Sequence, residues 1–180
     1  FIFTGDNGTH PSVISSTTYG RVRGGKGFTY ITGNHVPMLV SWPEKFKDKQ
    51  VSKALISFAD YLPTLCEVTG IPAEKYKTDG KSFLPAAEMD ATIQDEIFIH
   101  YTPRWGNKDH NRWVMNDLYK LYQDGRFFNT AKDTLEIAPI TNPTDLEQKL
   151  KHHFQQILDD KEKEIAFALN DTAFMLKNYK

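Results

Sequence analysis

A single cysteine, Cys66, stands among the 180 residues, so the chain can form neither an internal disulfide nor a multi-cysteine zinc site. Excess charge is missing as well. Twenty-two Lys and Arg meet 23 Asp and Glu for a net charge of −1, which removes the global field that draws a basic protein to nucleic acid or to an anionic membrane. No run approaches the roughly 20 apolar residues that a membrane-inserted helix requires, and no stretch has the layout of a secretory leader. Internal repeats and low-complexity tracts are also lacking. What is present, 39% hydrophobic and 13% aromatic residues, suffices for a packed core and argues against disorder.

The chain opens on Phe1-Ile2-Phe3, an apolar run without polar alternation, as in a strand covered on both faces within a parallel sheet. It stops at Gly5-Asp6-Asn7-Gly8. Successive strand side chains point to opposite faces, so Asp6 and Asn7 converge only where the backbone leaves the pleat, and Gly5 and Gly8 allow that bend. Oxygen donors beyond the carboxyl end of a buried strand suit a hard cation, Ca²⁺ or Mg²⁺; the same residues also spell an ordinary turn. Arg23-Gly24-Gly25-Lys26-Gly27 sets one ammonium among glycines, so the backbone can approach an anion while Lys26 supplies charge. The spacing is not that of a Walker A loop. Gly33-Asn34-His35-Val36-Pro37 leads into Met38 to Pro43, a second apolar run and second expected buried strand. His10 and His35 each read either as donors toward a bound substrate or as ordinary loop histidines.

Thr9 to Tyr19 reads as a surface loop, and Glu44 to Lys53 as a solvated connector. A helix is expected over Asp60 to Val68, capped by Ser57 or Asp60 and ended by Gly70. Leu62, Leu65, Cys66 and Thr69 recur at helical spacing, which makes Cys66 a core residue rather than a nucleophile. Pro72 to Gln94 lacks periodicity and reads as a link into a second unit. There, Glu96 to Tyr101, Arg112 to Met115 and a hairpin over Leu118 to Phe128 alternate in polarity and are expected to form an antiparallel sheet. The loop between the first two holds Arg104 and Trp105, fit either for a sugar or aryl site or for a plain turn. Thr144-Asp145-Leu146-Glu147 is a capping box opening a helix whose stripe is Leu146, Leu150, Phe154, Ile157 and Leu158; Ile165 to Lys180 is expected to continue it. Two doubly covered strands need helices on both sides, yet the first 95 residues offer one. The sequence is therefore expected to be the C-terminal part of a longer chain.

In order, the Asp-Asn-Gly loop, Gly-Gly-Lys-Gly loop, His35-Val36-Pro37, the second strand and Trp42-Pro43 resemble the later half of a sulfatase catalytic domain, of the arylsulfatase type within the alkaline-phosphatase-like superfamily. The resemblance runs on through Ser57 to Leu65, Asp79 to Pro85 and Tyr119 to Tyr122. It implies an α/β fold in which residues 1–93 complete a parallel-sheet catalytic domain and residues 94–180 form a small α+β subdomain with an antiparallel sheet and a packed helix. It also implies hydrolysis of sulfate esters, on a sulfated small molecule or glycan, with Ca²⁺ and a formylglycine nucleophile made from Cys or Ser in a Cys/Ser-x-Pro/Ala-x-Arg motif. Asp6 and Asn7 match the metal-ligand pair, and Lys26 matches the lysine that contacts sulfate and assists the leaving group. His10, His35 and Arg104 are the further expected substrate contacts. The formylglycine motif is absent, since Leu65-Cys66-Glu67-Val68 lacks its proline and arginine, and the family's first acidic ligands are absent too. Ile31-Thr32 stands where many arylsulfatases have Glu-Gly. The chain alone is accordingly expected to bind metal weakly and to hydrolyse nothing. Two alternatives stay open: a phosphomonoesterase or phosphodiesterase of the same superfamily, which commonly carries His where this chain has Asn7, and a non-catalytic glycan-binding module. The resemblance further suggests a secreted or periplasmic setting; oligomeric state is not legible.

Overall fold

A computed structural model describes residues 1–164 apart from 19, 48 and 104–109. Arg104 and the expected continuation over 165–180 lie outside the described residues. In chain order the elements are strands β1 (Ile2–Thr4), β2 (Ile14–Thr17) and β3 (Gly20–Arg23), the one-turn helix α1 (Ile31–Asn34), β4 (Met38–Val40), helices α2 (Tyr61–Thr69) and α3 (Leu84–Met89), strands β5 (Ile97–Tyr101), β6 (Asn111–Met115), β7 (Tyr119–Tyr122) and β8 (Phe127–Asn129), and the long helix α4 (Asp145–Glu164). Contacts group them into two compact units, residues 1–5 with 37–97, and residues 6–36 with the described residues from 98 onward. No helix among the described residues is long and apolar enough to cross a membrane.

In the first unit the two apolar runs do pair, but not as expected. β1 and β4 run antiparallel, with Ile2 opposite Val40 and Thr4 opposite Met38, and the pairs β2–β3, β6–β7 and β7–β8 are antiparallel as well. Nor are they doubly covered, since Phe3 is 51% and Leu39 65% exposed. An apolar run reports what a strand can bury; its direction is set by the connection. Parallel neighbours need a crossover, usually a helix of some length, whereas among the described residues the only helix between these strands is the single turn of α1. Helix α2 follows a 3-10 turn over Phe58–Asp60. Asp60 is fully buried and accepts from Ser57 N (2.7 Å), Lys81 N (2.9 Å) and Gln94 Nε2 (2.9 Å), so it joins three segments as a structural acceptor. Gly70, at φ +69°, ends α2 in the left-handed conformation, which glycine adopts without a Cβ penalty. Cys66 is buried as expected, but Leu62 and Leu65 are 42% and 49% exposed. Helix α3 arises inside the expected link, with Pro85 in its first turn, where the missing N–H costs nothing.

The second unit is built on a four-stranded sheet of order β5-β6-β7-β8. Trp113 faces Tyr122 and Val114 faces Leu121 across β6 and β7, while Leu121 faces Phe127 across β7 and β8. Side chains alternate between faces along a strand, and two cores result. Val114, Leu121 and Phe127 pack with Phe154 and Leu158 of α4. Trp113, Tyr122 and Phe128 cluster on the other face with Ile99 and Tyr101. Helix α4 opens on the expected box: Thr144 N donates to Glu147 Oε2 (2.9 Å) and Glu147 N to Thr144 Oγ1 (3.3 Å). Of its expected stripe, Phe154 and Leu158 are buried, Leu150 and Ile157 pack against them, and Leu146, in the first turn, is 78% exposed. The expected surface loop at Thr9 to Tyr19 contains β2, which pairs antiparallel with β3.

Phe154 is wholly buried between α4 and the sheet. Phe154→Ala is expected to cost about 3–5 kcal/mol, read from urea unfolding; a loss below about 1 kcal/mol would show that α4 does not close this core.

Candidate functional site

Asp6 and Asn7 occupy a bend directly after β1, Asp6 exposed and Asn7 half-buried. Three short segments of the second unit meet there backbone to backbone. Gly8 N donates to Gly33 O at 2.9 Å, Lys26 N to Thr9 O at 2.9 Å, and Gly24 N to Val13 O at 3.0 Å. A Cβ on Gly8 would stand 2.0 Å from Thr32 O, one on Gly24 2.3 Å from Thr9 O, and one on Gly33 2.2 Å from Phe28 O. None of these three has a positive φ. Glycine is therefore needed for close approach rather than for bending. The space beside Gly24 and Gly25, which the sequence suggested for an anion, is filled by Thr9, His10 and Thr32.

These contacts bring the backbone of Lys26 alongside Thr9, three residues beyond Asp6 in the chain. The Lys26 side chain is exposed. His10 is exposed and turned into its own loop, with Nδ1 accepting from Ser12 N (3.2 Å) and 2.8 Å from Ser12 Oγ. That bonding puts the ring proton of neutral His10 on Nε2. His35 is exposed and follows α1, its N–H bonded to Ile31 O. Arg104 lies outside the described residues.

Among the described residues no group of three or more His, Cys, Asp or Glu is arranged to hold a metal ion. The donors at 6 and 7 thus fit a hard cation in kind, as one carboxylate and one carboxamide oxygen, and fall short of its six to eight ligands in number.

Sequence reasoning missed the cluster beneath the Lys26 loop. Lys120 and Tyr122 project from β7 into the Trp113 face of the sheet. The Lys120 side chain is 1% exposed and forms a 2.8 Å ion pair with Glu136, itself 5% exposed. Its Nζ lies 4.3 Å and 4.5 Å from the ring centres of Trp113 and Tyr122 and donates to Thr29 O. Tyr122 Oη bonds to Glu136 Oε2 and lies 2.7 Å from Thr29 Oγ1. The carboxylate can only accept, so it takes the phenolic proton, and the Thr29 hydroxyl donates to the phenolic oxygen. Tyr101 Oη donates to Gly27 O at 3.2 Å, and Asn34 Nδ2 donates to Thr29 O. A signal was available: strict alternation in Tyr119-Lys120-Leu121-Tyr122 puts Lys120 on the aromatic face, where a lysine needs an acid.

Burial pushes the Lys120 ammonium down from 10.5 to about 8, with Glu136 opposing part of the fall. The folded value lies below the unfolded one, so between the two the unfolded chain holds more protons and stability rises with pH. Burial, then Glu136, pushes the Tyr122 phenol up; the sign there is opposite, and that contribution is lost as pH climbs beyond the ordinary phenol range. Unfolding free energy is expected to grow by on the order of 1–2 kcal/mol from pH 7.5 to 9.5. The slope should vanish in Lys120→Met/Glu136→Gln, measured by urea titration at each pH.

Residues 25–169 match the family described as N-sulphoglucosamine sulphohydrolase, C-terminal. Human N-sulphoglucosamine sulphohydrolase is 32% identical over 175 residues, covering 85% of this chain and 32% of the relative. Mouse steryl-sulfatase is 30% identical over 58% of the chain and 19% of its own length, and human arylsulfatase A 38% identical over 47% and 17%. The chain thus spans a third or less of these relatives. The solved structure of Bacteroides fragilis yidJ aligns with a TM-score of 0.65 at 20% identity, over 90% of this chain and 35% of that one, a likeness of fold.

Proposed function

The chain belongs to the C-terminal family of N-sulphoglucosamine sulphohydrolase, within the sulfatases of the alkaline-phosphatase-like superfamily, and from that premise we propose that it forms the downstream part of an enzyme that hydrolyses sulfate esters. In this reading residues 1–93 complete the catalytic domain and residues 94–180 are its appended subdomain. The observation that carries the reading is the backbone hydrogen bond from Lys26 N to Thr9 O, which ties the Asp6/Asn7 loop to the Lys26 loop, while Gly8 N to Gly33 O ties the same loop to α1.

Cleavage of a sulfate ester builds negative charge on the leaving oxygen and on the transferred group, and fixed positive donors lower that barrier. Lys26 supplies such a donor on an exposed side chain, contacting sulfate and, as an ammonium, able to give a proton to the departing oxygen. Asp6 and Asn7 would contribute two oxygens to a Ca²⁺ ion, whose chemistry is to neutralise the sulfo group and polarise its S–O bonds. A formylglycine nucleophile and the remaining ligands would come from residues outside this sequence. His10, His35 and Arg104 are the further proposed contacts that would orient the rest of a substrate. Asn7, in place of the histidine common in phosphatases of the superfamily, favours a hard cation and sulfate. The name of the matched family also brings an N-sulfonated amino sugar among the substrates, beside O-sulfated small molecules and glycans. An exported setting, outside the cell or in a periplasm, goes with the same reading.

Activity of the intact protein tests this. It should release sulfate from 4-nitrophenyl sulfate or glucosamine N-sulfate far faster than phosphate from 4-nitrophenyl phosphate. Lys26→Ala should lower kcat by about 10²–10³-fold. Sulfate release untouched by that change, with glycan binding reduced, would favour a binding module instead. The 180-residue chain by itself is expected to bind Ca²⁺ with a Kd on the order of 1 mM or weaker; calorimetry giving a Kd near about 1 µM would mean that it holds a complete site.

A further inference from the structure

We propose that Lys120, Tyr122 and Glu136 form a positioning unit that holds the Lys26 loop against the Asp6/Asn7 loop through Thr29, a proposal that rests on the sulfatase reading of Lys26.

Thr29 is the junction. Its carbonyl accepts from both Lys120 Nζ and Asn34 Nδ2, and its hydroxyl meets Tyr122 Oη at 2.7 Å. Two residues back, Gly27 O accepts from Tyr101 at 3.2 Å. The backbone on either side of Phe28 is thereby fastened to the sheet, directly after Lys26. The same path continues outward: Asn34 belongs to α1, and Gly33 of α1 accepts from Gly8, next to Asn7. One hydrogen-bonded route thus runs from the sheet to both halves of the proposed site.

Stability alone does not account for a lysine at 120. A buried ion pair seldom outperforms apolar residues of the same volume, and the neighbours here are Trp113, Tyr122 and Phe128, well suited to take a Met or Leu. What an apolar side chain cannot do is donate to Thr29 O. The ammonium reaches two acceptors on different segments, Glu136 Oε1 and Thr29 O, so it fixes where the loop lies above the strand. Tyr122 does the same for the Thr29 side chain, and Glu136 orients both donors.

The test uses the intact protein and 4-nitrophenyl sulfate. Lys120→Met/Glu136→Gln removes both charges together and orphans neither; it should unfold in urea near the wild-type midpoint, yet lower kcat by about tenfold or more with KM within about twofold. A double variant of wild-type stability and wild-type kcat would overturn the proposal. Should that variant not fold, Tyr122→Phe, which keeps the ion pair, should lower kcat about threefold or more; an unchanged kcat would count against the unit equally. In a Lys26→Ala background the same changes should lower kcat less than about twofold, because they act through Lys26, and a full tenfold loss in both backgrounds would show a merely structural role. If Lys26→Ala itself leaves kcat unaltered, the sulfatase reading of Lys26 fails and trypsin decides the positioning. Cleavage after Lys26, relative to cleavage after exposed Lys77, should speed about tenfold in the double variant; an unchanged ratio overturns the unit independently of any activity.

Discussion

The second unit depends on a charge kept almost out of water. Lys120 lies under the aromatic face of the sheet with Glu136 as its counter-ion, and removing one partner alone would leave the other buried and uncompensated, a loss of about 3–5 kcal/mol. The surroundings soften the cost of burial without abolishing it. The ammonium faces the rings of Trp113 and Tyr122, whose quadrupoles attract a cation, and both polar groups of Tyr122 and Thr29 find partners. The lowered Lys120 pKa is the residue of that balance. Such a network is all-or-none: satisfied it specifies one arrangement, and half-satisfied it is worse than an apolar core.

The glycine-rich segments above this network act by the complementary means of exclusion. Thr9, Phe28 and Thr32 carbonyls fill the places where Cβ atoms at positions 24, 33 and 8 would stand. Main chains meeting so closely leave few alternative packings, so the exposed side chains of Asp6 and Lys26 rise from a stiff base although they have little burial of their own. Preorganised donors contribute to catalysis because they need not be rearranged as charge develops. That rationale links the loop packing to the reaction assigned to the family.

Legibility followed how local each cause was. The α2 stop at Gly70, the hairpin turn closed by Gly125 at φ +88° and the α4 capping box depend on a few neighbouring residues, and all three were readable. The antiparallel pairing of β6, β7 and β8 was readable from period-2 alternation and short turns; the second core, on the Trp113 face, was not anticipated. The direction of β1 against β4 was not readable, because Phe1-Ile2-Phe3 and Met38-Leu39-Val40 say nothing of the route between them. Leu146, Leu62 and Leu65 failed for another reason: periodicity identifies a helix face but not whether anything reaches its first turn or its flank. At the site, adjacency of Asp6 to Asn7 and the glycine setting of Lys26 were visible as types and spacing. The Thr29 junction was hidden, since Lys120 and Glu136 lie 91 and 107 positions or so from it and pair only once the sheet has formed.

Glu136 adopts φ +55°, a left-handed conformation that disfavours every side chain with a Cβ and that glycine would occupy freely. Its carboxylate must therefore outweigh a backbone preference of about 1 kcal/mol or more. The two pressures at this position pull apart, and the ion pair with Lys120, joined by the Tyr122 hydroxyl, keeps the acid in place. Across descendants of this chain, loss of the lysine at 120 would release position 136 toward glycine or asparagine, so the two sites should drift as a pair, leaving a genealogical trace of a contact that no local pattern encodes.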